Sequence, residues 1–218
     1  DEIRTPLNAM MGFSDVLSEQ EMTEQSASYL NKVSTSAKFL MNLVDDILDL
    51  SKVEAGKLEL HYSPTSLLKL VDEMKQLFSE RIAAKGVELK IDVDAQIPEF
   101  LSLDEMRLRQ VVMNILNHAL QFTSSGYIRL AISCEFSEKT PALVNLKIVV
   151  QDSGVGIGEE QKNRMFYPFE DVSASEHTSY GRTGMGLAVS LPLIEMMHGQ
   201  IRVDSALDKG STFTITGS

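Results

Sequence analysis

The hydrophobic positions along this chain follow two different periods, and the change between them divides it. Ile3, Leu7, Met10, Met11 and Leu17 recur at helical spacing, with Pro6 early in the run where it predicts a kink. The stretch EQEMTEQ interrupts the pattern, and Thr23 stands where a cap for a second helix belongs. From Leu30 the apolar residues fall on alternating steps of three and four, at Val33, Ala37, Leu40, Val44 and Ile47. The next two seam positions are Ser51 and Glu54, so the strict repeat lasts about two and a half heptads. The stripe then drifts by one residue to Leu50 and Val53, as a straight helix of period 3.6 does. Two readings fit this: a long core helix inside one domain, or a helical hairpin that pairs with a second copy. A lone hairpin cannot cover both its stripes, so a four-helix bundle formed by dimerisation is the economical solution.

Beyond LSKVEAGKLELHYSPTS the period becomes two, which predicts a domain boundary, with a helical hairpin over 1–57 and a second domain over 58–218. A helix from about Ser66 to Lys85 is stopped by Gly86. Strict alternation follows at Val87, Leu89, Ile91 and Val93, again from Ile128 to Phe136, and again from Val144 to Val150. Each run reads as a half-buried strand. Between the first two runs lies a helix capped by Asp104, another covers roughly Gly186 to His198, and short strands follow at 201–205 and 212–216. The expected class is α+β, with a mixed, largely antiparallel sheet carrying helices on one face.

Composition narrows the picture. A formal net charge of −11 without a basic run argues against nucleic-acid binding. The single cysteine, Cys134, excludes an internal disulfide framework and fits a reducing compartment such as the cytoplasm. No apolar stretch approaches the length of a membrane span, so any membrane attachment resides in segments outside these 218 residues.

Two glycine motifs carry the candidate chemistry. In DSGVGIG, Asp152 leaves a buried strand and could accept a hydrogen bond from an amine, while Gly154 and Gly156 would let the backbone approach a flat ligand. By itself such a motif is more often a plain turn. In GRTGMGLA, residues 181–188, glycines run into a helix start, whose free amides can cradle phosphate. An ordinary glycine-rich loop explains it equally well, and no Gly-Lys-Ser/Thr makes it a Walker loop. The polar, small-residue segment between them suits a lid.

The succession DEIRTPLNAMMGF, NILNHALQFT, DSGVGIG, MFYPF and GRTGMGLA resembles the catalytic core of two-component sensor histidine kinases, over essentially the whole chain. The resemblance implies a dimerisation and phosphoacceptor hairpin followed by a Bergerat-type ATP-binding domain. It implies that Asp152 reads the adenine amine, that Gly154 and Gly156 shape the adenine pocket, and that Thr183, Gly184 and Gly186 border the phosphates. A response-regulator receiver domain is the implied partner.

Three positions depart from the family pattern. Asp1 stands where the family has its phosphoacceptor His, and a carboxylate is both a weaker nucleophile and an added anion beside a triphosphate. Glu2, which resembles the family's general base, then has no imidazole proton to take. His118 stands four residues after Asn114, on the same helical face, where the family has an Asn whose oxygen binds Mg²⁺. Imidazole nitrogen is a poor replacement for that hard oxygen ligand. Gln121 replaces a common Lys and removes a cation that would face phosphate. The expectation is a degenerate core with weak ATP or ADP binding and Mg²⁺ deprived of its usual ligand. An active kinase in which Asp1 is an engineered substitution is the alternative. A receiver-domain phosphatase is another, since Glu2 and Thr5 keep the spacing that positions a water. The hairpin would pair with itself or with an intact kinase.

Overall fold

Two helices, α1 (Arg4–Ser18) and α2 (Glu24–Glu54), fold back on each other as an antiparallel hairpin in the computed structural model, which describes residues 2–138, 140, 142–167 and 186–217. Thr23 caps α2 by accepting a hydrogen bond from the Ser26 N–H at 3.2 Å. Leu7 and Ala37 are buried between the helices, and an Arg4–Asp45 ion pair at 3.2 Å joins the start of α1 to the far part of α2. The kink expected at Pro6 is not needed. Pro6 falls in the first turn of α1, where its missing N–H has no intrahelical acceptor to leave empty.

The remainder runs β1 (Ser63–Thr65), α3 (Leu67–Ala84), β2 (Val87–Val93), β3 (Leu101–Leu103), α4 (Glu105–Phe122), β4 (Gly126–Phe136), β5 (Val144–Asp152), α5 (Glu159–Arg164), α6 (Gly186–Met196), β6 (Gln200–Ser205) and β7 (Ser211–Gly217). The main sheet has the order β2-β4-β5-β7-β6; only the β2–β4 pair is parallel. A parallel pair requires a crossover, and α4 supplies it, which lays this helix across the sheet. Ile128, Leu130, Ile132 and Cys134 of β4 face the helices, with Ile148 and Val150 of β5 and Phe213 and Ile215 of β7 beside them. Against them pack Leu70, Met74 and Phe78 of α3, Val111 and Ile115 of α4, and Val189 and Leu193 of α6. Ser66 and Asp104 cap α3 and α4, accepting from the Lys69 and Arg107 N–H groups. The two-stranded β1–β3 ribbon and α5 have no counterpart in the sequence expectation, because three to six residues are too few to display a period.

The junction between hairpin and sheet domain explains the drifting stripe. Leu50 and Val53 pack against the core of the sheet domain, while Ser51 and Glu54 are exposed. Helix α2 therefore serves two neighbours with two faces. A polar cluster completes the junction: Arg107 Nη1 donates to Asp49 Oδ2 at 2.7 Å and to Gln110 Oε1 at 3.0 Å. Gln110 Nε2 in turn donates to Asp49 Oδ2 at 3.2 Å and to Asp46 Oδ1 at 3.5 Å. Burial, with Asp49 and Asp45 nearby, pushes the Asp46 carboxyl up to about 6, against the Gln110 hydrogen bond. Among the described residues no helix is long and apolar enough to cross a membrane.

Candidate functional site

The last residue of β5 meets the end of α4 at one end of the sheet, and the first residue of α6 is fastened to the middle of α4. Asp152 arrives there because β5 alternates, so its carboxylate is turned to the covered face and is 3% exposed. Its Oδ1 accepts from the Gly154 N–H at 2.9 Å. Burial pushes this carboxyl above the usual carboxylate range, opposed by the backbone N–H groups of Gly154 and Ser211 and by the Thr123 hydroxyl. A carboxylate so placed suits a hydrogen-bond donor arriving without water.

The two glycines after it are held close to the protein's own backbone. A Cβ on Gly154 would lie 2.3 Å from the Phe122 carbonyl oxygen, and one on Gly156 would lie 1.9 Å from the Ala206 carbonyl oxygen. Gly156 also holds φ +70°. Both are required by the protein's own backbone, which presses the DSGVGIG loop against the end of α4 and the turn before β7. The close approach is internal.

On α4, Asn114 and His118 share a face, as their spacing requires, but differ in what they meet. Asn114 Nδ2 donates to the Gly186 carbonyl at 2.8 Å and to Ser190 Oγ at 3.2 Å, and Ser190 Oγ donates to the same carbonyl at 2.7 Å. This fastens the start of α6 to α4 and leaves the Asn114 amide oxygen without a partner among the described residues. The His118 ring is buried 4.6 Å from the Phe122 ring centroid and 5.3 Å from that of Phe213. Its Nδ1 is buried without a partner, and burial pushes the imidazole down to about 4, so it is neutral at pH 7. Gln121 is half-buried in the last turn of α4. Asn117, between them in sequence, turns away and accepts from Arg81 Nη1 of α3 at 3.1 Å.

Glu2 and Thr5 are exposed at the beginning of the hairpin. Asp1, Thr183 and Gly184, together with most of the expected lid, lie outside the described residues, whereas Gly186 is the buried first residue of α6. The sequence reading missed Thr123, Ser190 and Phe213. Ser190 contacts Asn114 across 76 positions, which no local pattern reports. Thr123 closes the very stretch NILNHALQFT that drew attention, but its burial shows only in the fold. Among the described residues no three His, Cys, Asp or Glu side chains gather as a metal cluster.

Residues 103–217 match the family described as Histidine kinase-, DNA gyrase B-, and HSP90-like ATPase, and residues 1–56 match the His Kinase A (phospho-acceptor) domain. The chain is 35% identical over 215 residues to hybrid signal transduction histidine kinase B of Dictyostelium discoideum, covering 99% of this chain and 11% of that protein. Full-length ShkA in complex with AMPPNP is similar at TM-score 0.77 and 27% identity, over 99% of this chain and 43% of that one. Histidine kinase ThkA in complex with the response regulator protein TrrA shares the fold at TM-score 0.62 and 24% identity, over 99% of this chain and 58% of that one.

Proposed function

The chain belongs to the sensor histidine kinases, joining a phosphoacceptor-type domain to a histidine-kinase-type ATPase domain, and from that premise we propose that it is a degenerate two-component signalling module. In this reading the hairpin over 1–57 dimerises, the domain over 58–218 holds ATP or ADP weakly, and no phosphoryl group is transferred. The observation that carries it is His118. Where family members present an amide oxygen to Mg²⁺, this chain buries an aromatic ring between Phe122 and Phe213, with no oxygen to offer. Asp1 at the phosphoacceptor position and Gln121 in place of Lys act on the same reaction.

The residues present fit the base of the nucleotide better than its metal. Asp152 would accept from the adenine amine, and Asn114 anchors the start of α6 at Gly186, which with Thr183 and Gly184 would border the phosphates. Bound ATP would bring a transferable γ-phosphoryl group. This chain's own contribution to transfer is reduced, because a carboxylate at position 1 adds negative charge where an imidazole would attack. A receiver domain is the proposed partner, as ThkA is found with TrrA. Exposure of both Glu2 and Thr5 favours a second reading, in which the hairpin positions water on a receiver's acyl-phosphate without needing ATP.

The test is incubation with γ-labelled ATP and Mg²⁺. The native chain should stay unlabelled, and the variant combining Asp1→His, His118→Asn and Gln121→Lys should take up label. Hydroxylamine-sensitive label on the native chain, an acyl-phosphate on Asp1, would overturn the degenerate reading.

A further inference from the structure

The inward face of the main sheet is not covered along its whole length. On β5 the inward row is Val144, Leu146, Ile148, Val150 and Asp152; the last three are buried and the first two only half-buried. Leu108 of the first turn of α4 and Ile194 of the last turn of α6 border the uncovered part. Between them and Leu101 and Leu103 of β3 lies a cavity of about 220 Å³. Strand β7 leaves this space open. Its inward row is Phe213, Ile215 and Gly217, and Gly217 stands opposite Leu146 in the ladder, so the row ends without a side chain. A Cβ on Gly217 would meet Gly199 Cα at 3.5 Å, an ordinary contact, and its φ is not positive. Backbone geometry therefore does not demand this glycine, in contrast to Gly154 and Gly156.

Leucine, isoleucine and valine make up most of the lining, and among the described residues no charged side chain joins them, in a chain of net charge −11. Tyr62 and Ser102 bring hydroxyls. A charged ligand would give up its hydration there and gain no partner, whereas an apolar one is favoured by leaving water. An apolar cavity of about 150 Å³ holds benzene, so this larger one has room for a ring with a short substituent. We propose that the cavity binds an uncharged aromatic small molecule of that size, at a site separate from the nucleotide site. Val144 and Asp152 stand at opposite ends of β5, roughly 26 Å apart at the rise of a strand, so the two sites do not overlap. The occupant would touch Leu108, whose neighbour Arg107 holds Asp49 of the hairpin. It would also touch Ile194, on the helix that Asn114 fastens at its other end. An effector in this place bears on both the hairpin junction and α6.

The experiment is calorimetric titration of the whole chain with p-cresol and with benzoate, a ring of similar size that is charged at neutral pH, using the native protein and Gly217→Phe. Native protein should bind p-cresol saturably and roughly tenfold or more tightly than benzoate. Gly217→Phe, whose ring would fill the space beside Leu146, should lose p-cresol by a similar factor while treating ADP as the native chain does. Methyl NMR on the native chain reads the location without any substitution. There p-cresol should shift Leu146, Ile194 and Ile215 and leave Ile128, which pairs with Asp152, unmoved. Absence of saturable p-cresol binding, equal affinity for benzoate, or native affinity in a folded Gly217→Phe would each overturn the inference. So would shifts at Ile128 in place of the other three.

Discussion

His118 and Asp46 are both buried and both shifted, in directions that oppose each other. Burial lowers His118 from 6.5 to about 4. Its contribution to stability is therefore complete above pH 6.5 and is lost as pH falls towards 4, by up to roughly 3 kcal/mol. Asp46 is raised from 3.8 to about 6, so its contribution is complete below pH 3.8 and is lost as pH rises through 6. Between pH 4 and 6 the two slopes offset. Denaturant midpoints measured across that window should show it: Asp46→Asn should leave a chain that weakens on acidification, and His118→Asn one that weakens as pH rises. The same slope in both variants would contradict these environments. At this scale Asn114, His118 and Asp152 were legible, because helical spacing and a strand end place them. The packing of His118 between Phe122 and Phe213 was not, because Phe213 is 95 residues away on β7.

Helix α2 shows what a hydrophobic pattern reveals at the scale of an element. Its seam changes face where Leu50 and Val53 leave the hairpin for the sheet domain, and the one-residue drift was readable before any coordinates. The polar half of the junction was not readable, since Asp49 and Arg107 are 58 residues apart. Their side chains are only 15% and 13% exposed, so removing one leaves the other charge poorly solvated. Arg107→Ala should cost about 2–3 kcal/mol, while the double replacement Arg107→Leu with Asp49→Leu should cost much less. Thermal unfolding of the three proteins checks this. Equal losses in the single and double variants would show that the ion pair does not act as a unit. The glycines of DSGVGIG belong to this scale too: their positions were legible, but the close backbone contacts to Phe122 and Ala206 that they permit were not.

For the whole molecule, the period change from helical to alternating was enough to give the α+β class and the mixed sheet. The parallel β2–β4 pair and the β1–β3 ribbon depend on chain paths that periodicity does not encode. The hairpin leaves Phe13, Val16, Tyr29, Val33 and Leu40 exposed at 71%, 56%, 57%, 49% and 40%, apolar side chains that the proposed dimer would cover. Sedimentation should find a dimer at tens of micromolar and a weakened one for Val33→Glu; a native monomer would contradict the bundle. The central claim is that the site still recognises adenine but has lost its metal. Titration calorimetry with ATP, in excess Mg²⁺ and in EDTA, tests it most directly. Weak binding of similar affinity in both, abolished by Asp152→Asn and made Mg²⁺-responsive by His118→Asn, is the predicted result; tight binding that requires Mg²⁺ in the native chain would contradict it.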